Sequence, residues 1–369
     1  MTPMHPEQAA LWETIRENPH DDAPRLIYAD WLEENDDPDR AEFIRRQVDD
    51  AQMEACGGID DRFVENRLRC RELFQTHQRK WWTPLHKFLD DTDFVRGFPS
   101  PRFDSRHFRS FIQLARYYQW TIPEWRLLME SGVSRLLEYA SQPCFRMAVS
   151  LELISDIPNP AILKPYLNAP NLLNIWSLTL GMDRIRTGHL EVMMDSPLPD
   201  QLREFAIRRE SAINFSHLRG AMRRAGFSSL RSLTLVNQQI IDEVLWQIDE
   251  CIPLRRLRSL DLSHNLLGKG AVACMSASGE DSALSALNLS GNQLDDEAAA
   301  VISGTSNLSN LTSLDLSHNQ ISREGLMALA ESPRLPRLRS LNWSGNPGAT
   351  DAETGARLTR RFPGLGLIG

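Results

Sequence analysis

The chain is poor in the residues that mark most secreted proteins and most enzymes. Its 369 residues include five cysteines, Cys56, Cys70, Cys144, Cys251 and Cys274. No two form a CxxC pair, so neither a zinc ribbon nor a disulfide framework is written into the spacing. Cys56 and Cys70 stand closest and could be bridged, but scattered reduced thiols of a cytoplasmic protein are the better reading. The N-terminal stretch has no apolar core ahead of a cleavage site, and no run approaches a membrane span. The motifs GxSxG, HExxH and the phosphate-binding glycine loop are also missing. The segment DDPDRAEF (36–43) lacks the central glycine of a calcium loop and reads as a solvated, helix-capping acid cluster. Cys56 has Asp60 nearby but no base to activate it. No catalytic residue, metal or cofactor is therefore assigned, and the expectation is a chain that is not an enzyme.

What is present is a period. Leu230, Leu257, Leu284, Leu311 and Leu338 follow one another at steps of 27 residues. The clearest copies read LRSLDLSHNLL, LSALNLSGNQL and LTSLDLSHNQI. Leu260 and Leu262, two apart, share one face of a strand, and Leu257 and Leu267 extend that face. Asn265, Asn292, Asn319 and Asn346 fall where the strand turns away, where a buried amide can both donate and accept. Stretches of small residues follow, GAVACMSAS (270–278), EAAAVISGT (297–305) and EGLMALAES (324–332), and read as helices packed behind the strands. His264 and His318 recur in SHN two repeats apart, about 10 Å if the strands stack, too far to share one metal ion.

The pattern LxxLxLxxNxL resembles the leucine-rich repeat, and one strand plus one helix per unit resembles its ribonuclease-inhibitor-like subclass. The resemblance implies an α/β horseshoe solenoid with parallel strands inside and helices outside. The phase also runs backwards, to Leu202 with Phe205 and Ile207, to Ile175 with Leu178 and Leu180, and to Ala148 with Leu151 and Leu153. In these copies the asparagine is replaced by Asp156, Asp183, Glu210 and Gln238. Repeats are thus expected over 148–348, with strands near 151–153, 178–180, 205–207, 233–235, 260–262, 287–289, 314–316 and 341–343. A C-terminal cap is expected over 349–369. In it Asp351 starts a helix reaching about Arg361, Ala352, Ala356 and Phe362 face the last repeat, and Leu365 to Ile368 add an edge strand.

The N-terminal third differs. Residues 1–92 hold 21 acidic against 12 basic side chains, a net −9, while the whole chain is −8. Punctuation by Asp, Pro and Gly sets out four helices: Pro6 to Asn18; one capped by Asp22 and carrying Leu26, Ile27, Trp31 and Leu32; one after Asp37-Pro38 with Phe43, Ile44, Gln47, Val48 and Ala51 on one side; and one from about Asp61 to Trp82. Trp81 and Trp82 read as core of the last of these. They make a small all-α domain over 1–92. The run NPHDDAPRLIYADWLEENDDPDRAEFIRRQ resembles the short repeat-companion domain that precedes leucine-rich repeats in some bacteria. FVRGFPSPRF (94–103) resembles the entrance to the repeats in that family. The resemblance brings no chemistry with it. Residues 93–147, including TIPEWRLLMESGVSRLLEY, are expected to form an enlarged helical N-terminal cap of the solenoid.

With no catalytic constellation, function falls to surface chemistry. The later repeats present small polar residues between the leucines. The early ones present Trp176, Met182, Glu204, Arg208 and Arg209, of which tryptophan and arginine are the types enriched at binding hot spots. These five are the candidate partner-binding residues. The expected function is a protein-protein interaction or scaffold role on the concave face, with a protein partner, no nucleic acid and no membrane; oligomeric state is left open. The alternative is an enzyme or an enzyme's regulatory subunit with a site in the acidic N-terminal domain, which a cleft with convergent polar groups would favour.

Overall fold

The computed structural model describes residues 5–17, 21–56, 61–82, 92–95, 98–104, 125–129, 148–153, 159–169, 175–181, 185–208, 213, 215–277 and 282–362. The chain forms two compact units, Met1–Glu152 and Leu153–Gly369.

The first unit begins with four helices, α1 (Pro6–Glu17), α2 (Ala23–Glu34), α3 (Pro38–Cys56) and α4 (Asp61–Trp82). The expected boundaries hold, because each helix opens at an acid or a proline and no proline interrupts one. The capping detail differs: Asp21, not Asp22, accepts from the Ala23 amide (2.9 Å), and Asp22 itself lies in the helical region without a side-chain cap. The faces differ as well. Trp12, Ile15, Tyr28, Ala29, Leu32, Ala41, Ile44 and Val48 form the core with Phe98 from outside the helices, while Ile27 is 55% exposed. The fully buried Arg25 takes the place that an apolar stripe would give to Ile27. Its guanidinium lies 5.8 Å from the Phe98 ring centroid and its Nη1 donates to the Asp21 carbonyl at 2.9 Å. Phe43 joins α3 to α4 through Cys70, Leu73, Phe74 and Trp81. Arg40 stacks over Trp81 at 4.8 Å, and burial pulls its guanidinium down to about 10. The core role expected of Trp81 is met; the side chain of Trp82 lies outside the described residues.

Strands follow in the same unit. β1 (Thr92–Val95) pairs antiparallel with β2 (Phe98–Asp104), and β2 pairs in parallel with β3 (Trp125–Met129), Phe103 opposite Leu127. The helical expectation for TIPEWRLLMES is thus corrected over 125–129. Leucine and methionine propensity favours a helix, but a strand paired to β2 supplies hydrogen bonds that override so weak a preference. β4 (Ala148–Leu153) ends the unit and crosses its boundary.

The second unit alternates strand and helix. Its strands are β5 (Ser177–Leu180), β6 (Glu204–Ile207), β7 (Ser232–Leu235), β8 (Ser259–Asp261), β9 (Ala286–Asn288), β10 (Ser313–Asp315) and β11 (Ser340–Asn342). All neighbours are parallel and in one register, Leu178–Phe205–Leu233–Leu260–Leu287–Leu314–Leu341. Each strand is followed by a helix: α5 (Thr187–Met194), α6 (Phe215–Ala225), α7 (Asp242–Asp249), α8 (Lys269–Ser276), α9 (Asp296–Gly304), α10 (Arg323–Glu331) and α11 (Ala352–Arg361). A parallel strand needs such a crossover to return to the same end of the sheet. The strands expected from leucine phase are all present, with β4 covering 151–153. The fold is an α/β leucine-rich-repeat solenoid with a helical N-terminal region.

Two local features hold the stack. The first is the asparagine at each turn. Asn292 accepts from the Leu267 amide (3.1 Å) and donates to the Leu262 (3.0 Å), Leu289 (2.9 Å) and Ser290 (3.2 Å) carbonyls. Asn265 and Asn319 repeat this arrangement one unit to either side. The second is helix capping across units. Asp242 of α7 accepts from the Gly268 (2.8 Å) and Gly270 (2.9 Å) amides at the start of α8, and Asp296 of α9 does the same for Ser322 (2.7 Å) and Gly325 (3.2 Å) at α10. At the C-terminal end Asp351 caps α11 through the Thr354 amide (2.8 Å), as expected. The buried face of α11 is Thr354, Leu358 and Phe362, however, with Ala352 and Ala356 exposed. The bulkier Leu358 and Phe362 bury more apolar surface than the two alanines, and this sets the helix's rotation. The edge strand expected at 365–368 lies outside the described residues.

Candidate functional site

The sheet of the second unit has one face closed by leucines and one face open. Along β8 to β11 the open positions between the leucines are Asp261, Asn288, Asp315 and Asn342, each partly exposed. Each side chain folds onto its own turn, so that the Ser263, Ser290, Ser317 and Ser344 amides donate to Asp261, Asn288, Asp315 and Asn342 at 2.9–3.2 Å. Carboxylate and amide alternate from strand to strand, and Asn342 donates to Asp315 at 3.0 Å where a second carboxylate would repel it. Ser263, Ser290 and Ser317 are buried, although strand alternation would turn them outward. The reason is that β8, β9 and β10 end two residues earlier, so the serines sit inside the turn.

The next position in each turn is left-handed: Asn237, His264, Gly291, His318 and Gly345 have φ between 55° and 72°. Histidine and glycine alternate there for a steric reason. A Cβ on Gly291 would come within 2.6 Å of the His264 Nδ1, and one on Gly345 would meet the His318 ring in the same way. His264 and His318 thus lie over glycines in alternate repeats, both exposed. Among the described residues no group of three or more His, Cys, Asp or Glu side chains could hold a metal ion.

The candidate residues fall at the early end of this face. Ser177 is opposite Glu204, so Trp176 lies one rung before it, opposite Arg203. The Trp176 carbonyl accepts from both the Arg203 (2.8 Å) and Glu204 (3.0 Å) amides. Glu204 is exposed and accepts from the Ser177 hydroxyl at 3.0 Å. Arg208 stands just past β6, exposed, its amide bonded to the Leu180 carbonyl at 3.1 Å. Trp176 is half-buried. Met182 and Arg209 lie outside the described residues.

The rung of Trp176 carries what the sequence reading passed over. Backbone bonds link Trp176 to Arg203, Arg203 to Arg231 (2.8 Å) and Arg231 to Arg258 (2.7 Å), placing three exposed arginines side by side on adjacent strands. The signal is visible in the phase, since each arginine follows the first leucine of its repeat, in LRE, LRS and LRS.

The acidic first unit shows structural pairing. Arg45 bridges Asp30 (2.7 Å) and Glu33 (2.6 Å), Lys80 meets Asp37 (3.0 Å), and His77 meets Asp39 (2.9 Å). Between α3 and α4, Glu42 accepts from Arg46 (2.8 Å) and Arg69 (3.0 Å), and the Arg69 hydrogen bond holds its carboxyl below the usual range. A shallow depression lined by Glu33, Asp39, Glu42, Arg45, Asp49 and Arg62 lies over this network. Burial pushes the Cys70 thiol up to about 12, the opposite of an activated nucleophile. Cys70, Cys251 and Cys274 are free and buried.

Two segments, residues 283–303 and 307–330, match the family model described as a leucine-rich repeat. No curated protein matches the sequence. Among solved structures the chain is similar to an internalin of Listeria monocytogenes (19% identity, TM-score 0.42, 65% of this chain and 66% of the internalin). It is similar also to a Bacteroides fragilis protein (13% identity, TM-score 0.40, 78% and 85%) and to a chain of the yeast Rad7 and Elc1 complex (16% identity, TM-score 0.42, 98% and 92%). The chain therefore spans just under two thirds of the internalin's length. At these identities nothing about their partners or chemistry transfers.

Proposed function

We propose that this leucine-rich-repeat protein is a non-catalytic interaction or scaffold protein that holds a protein partner on the concave face of its repeats. The observation that carries the reading is the unbroken register from β5 to β11, which lays short polar side chains in rows over a leucine core. Such a face offers an extended docking surface in place of an enclosed cleft. This reading puts the partner site at its early end, on Trp176, Glu204 and Arg208, with Met182 and Arg209 of the same repeats. The proposal includes no resident cofactor, a cytoplasmic location, and a chain whose acidic first unit avoids nucleic acid and anionic membrane.

The polar depression of the first unit is where the alternative of an enzymatic site would lie, but the carboxylates that line it, Glu33, Asp39, Glu42 and Asp49, are each held by a basic side chain, which supports a structural use of them. The test is a paired substitution, Trp176→Ala with Arg208→Glu, in affinity capture from host lysate. Loss of a specific partner with an unchanged melting curve is expected. An identical set of captured proteins would remove this face and direct attention to the acidic unit.

A further inference from the structure

In the later repeats the open face of the sheet carries charge that the fold does not need. The Ser263 amide donates to Asp261 (2.9 Å) and the Ser317 amide to Asp315 (2.9 Å), which closes the turn after each strand. Asn288 and Asn342 close the same turn by accepting from the Ser290 (3.0 Å) and Ser344 (3.2 Å) amides. An amide side chain therefore suffices for this turn, and the two negative charges are surplus to it. The other contacts of Asp315 are neutral as well: the Ser317 hydroxyl (2.6 Å) and the Asn342 side-chain amide (3.0 Å) donate to it. Asp261 Oδ2 and the Asn288 side-chain NH2 have no protein partner among the described residues. Carboxylates behind the sheet are placed differently. Glu250 pairs with Arg219, Asp195 with Arg224 (3.1 Å) and Glu331 with Arg357 (3.0 Å).

We propose that Asp261 and Asp315 are recognition charges for a partner helix that carries two basic side chains on one face, seven residues apart. The inference rests on the reading of this unit as a protein-binding solenoid and names the chemistry of one segment it takes. Asp261 lies on β8 and Asp315 on β10, two strand spacings or about 10 Å apart. A helix advances about 10 Å in seven residues and returns to nearly the same side, so lysines or arginines at that interval meet both acids. The floor admits a helix, because the row and its neighbours Ser259, Ala286, Ser313 and Ser340 hold nothing longer than asparagine. The two acids stand too far apart to share a metal ion, and they repel a phosphate backbone or an anionic membrane. The exposed Arg258 and Arg339 stand three residues before the row, on β8 and β11. That is about 10 Å along a strand, a Debye length at about 0.1 M salt, so the two arginines are screened from the row. The imidazoles of His264 and His318, past the row, fold over Gly291 and Gly345.

The experiment uses the full chain and a labelled, alanine-rich helical peptide with two lysines seven residues apart, followed by fluorescence anisotropy. One control peptide carries glutamine at both places. In another the second lysine stands nine residues on, at the opposite side of the helix. The seven-residue spacing should bind most tightly, and more weakly as salt rises. Asp261→Asn and Asp315→Asn should each weaken it about two- to five-fold, and the double change about ten-fold, the range of partly exposed ion pairs. The variants should melt with the wild type, because Asn288 and Asn342 already close this turn. Carbodiimide coupling of peptide lysine to protein carboxylate, mapped by mass spectrometry, should join the peptide to Asp261 and Asp315. Asp261→Asn should also lower the yield at Asp315. Equal binding of the two lysine spacings, undiminished binding by the double Asn variant, or coupling confined to the acidic first unit would each overturn the proposal. If the peptide fails while the captured partner still depends on Trp176 and Arg208, the inference about Asp261 and Asp315 alone falls. If both fail, the protein-binding reading of this face falls with it.

Discussion

Asn292 shows what a single side chain does in this architecture. Its amide closes four backbone hydrogen bonds across two turns, and none of those backbone groups has water to turn to. Asn292→Ala leaves the Leu267 amide open, at about 1–3 kcal/mol, and takes one of two donors from the Leu262, Leu289 and Ser290 carbonyls, which keep Asn265, Asn319 and the His264 amide. A loss of at least about 1 kcal/mol is expected in urea unfolding. Asn292→Asp should be similarly costly, since a carboxylate cannot donate to the three carbonyls. A midpoint within error of wild type for either variant would show the amide to be dispensable. The role of this residue could be read directly from sequence, because a polar side chain amid leucines must satisfy something. The burial of Ser290 could not. It depends on β9 ending at Asn288, and the period-two rule carries no information about where a three-residue strand stops.

At the level of elements, strands could be placed where leucine phase survives and were missed where the step changes. β3 lies 24 residues from β2 in register, Phe103 opposite Leu127, so a search at 27 passes over it. The four N-terminal helices were legible from their caps, but their rotations were not. The exposure of Ile27 follows from Phe98 filling the core beside Arg25, a contact from a distant strand. The α3–α4 seam makes a pH prediction. Glu42 has a folded pKa below its unfolded one because Arg69 and Arg46 stabilise the carboxylate. The stability this gives is therefore complete above the unfolded value of about 4.3 and is lost as pH falls through the lower folded value. Between about pH 5 and pH 3 the wild type should lose more stability than Glu42→Gln, measured by thermal melts. Parallel curves for the two proteins would remove Glu42 from the seam's energetics.

For the whole second unit, the alternations coincide. His264 and His318 sit over Gly291 and Gly345, Asp261 and Asp315 neighbour Asn288 and Asn342, and Asp242 and Asp296 cap the next helix in every other repeat. The structural unit is a pair of repeats. Removing 284–310 would set His264 against His318 and Asp261 beside Asp315. Removing 284–337 would set His264 over Gly345 and Asp261 beside Asn342. The shorter deletion should therefore have the lower urea midpoint, even though it keeps more core. The reverse order would show that the alternation has no energetic weight. The candidate partner site is the least legible part of the molecule, because its residues come from repeats that follow the phase without the consensus, and only the strand register shows which of them are neighbours.

The histidine-over-glycine contact has a further consequence for how the chain finds its own alignment. Near-identical modules invite a slip, in which a segment stacks one place too early and still buries its leucines. Here a slip by one place brings histidine against histidine, whereas a slip by two would need a much longer loop to be drawn in. The two-letter alternation works as a parity bit: it leaves the message unchanged and flags the commonest copying error at the moment of assembly.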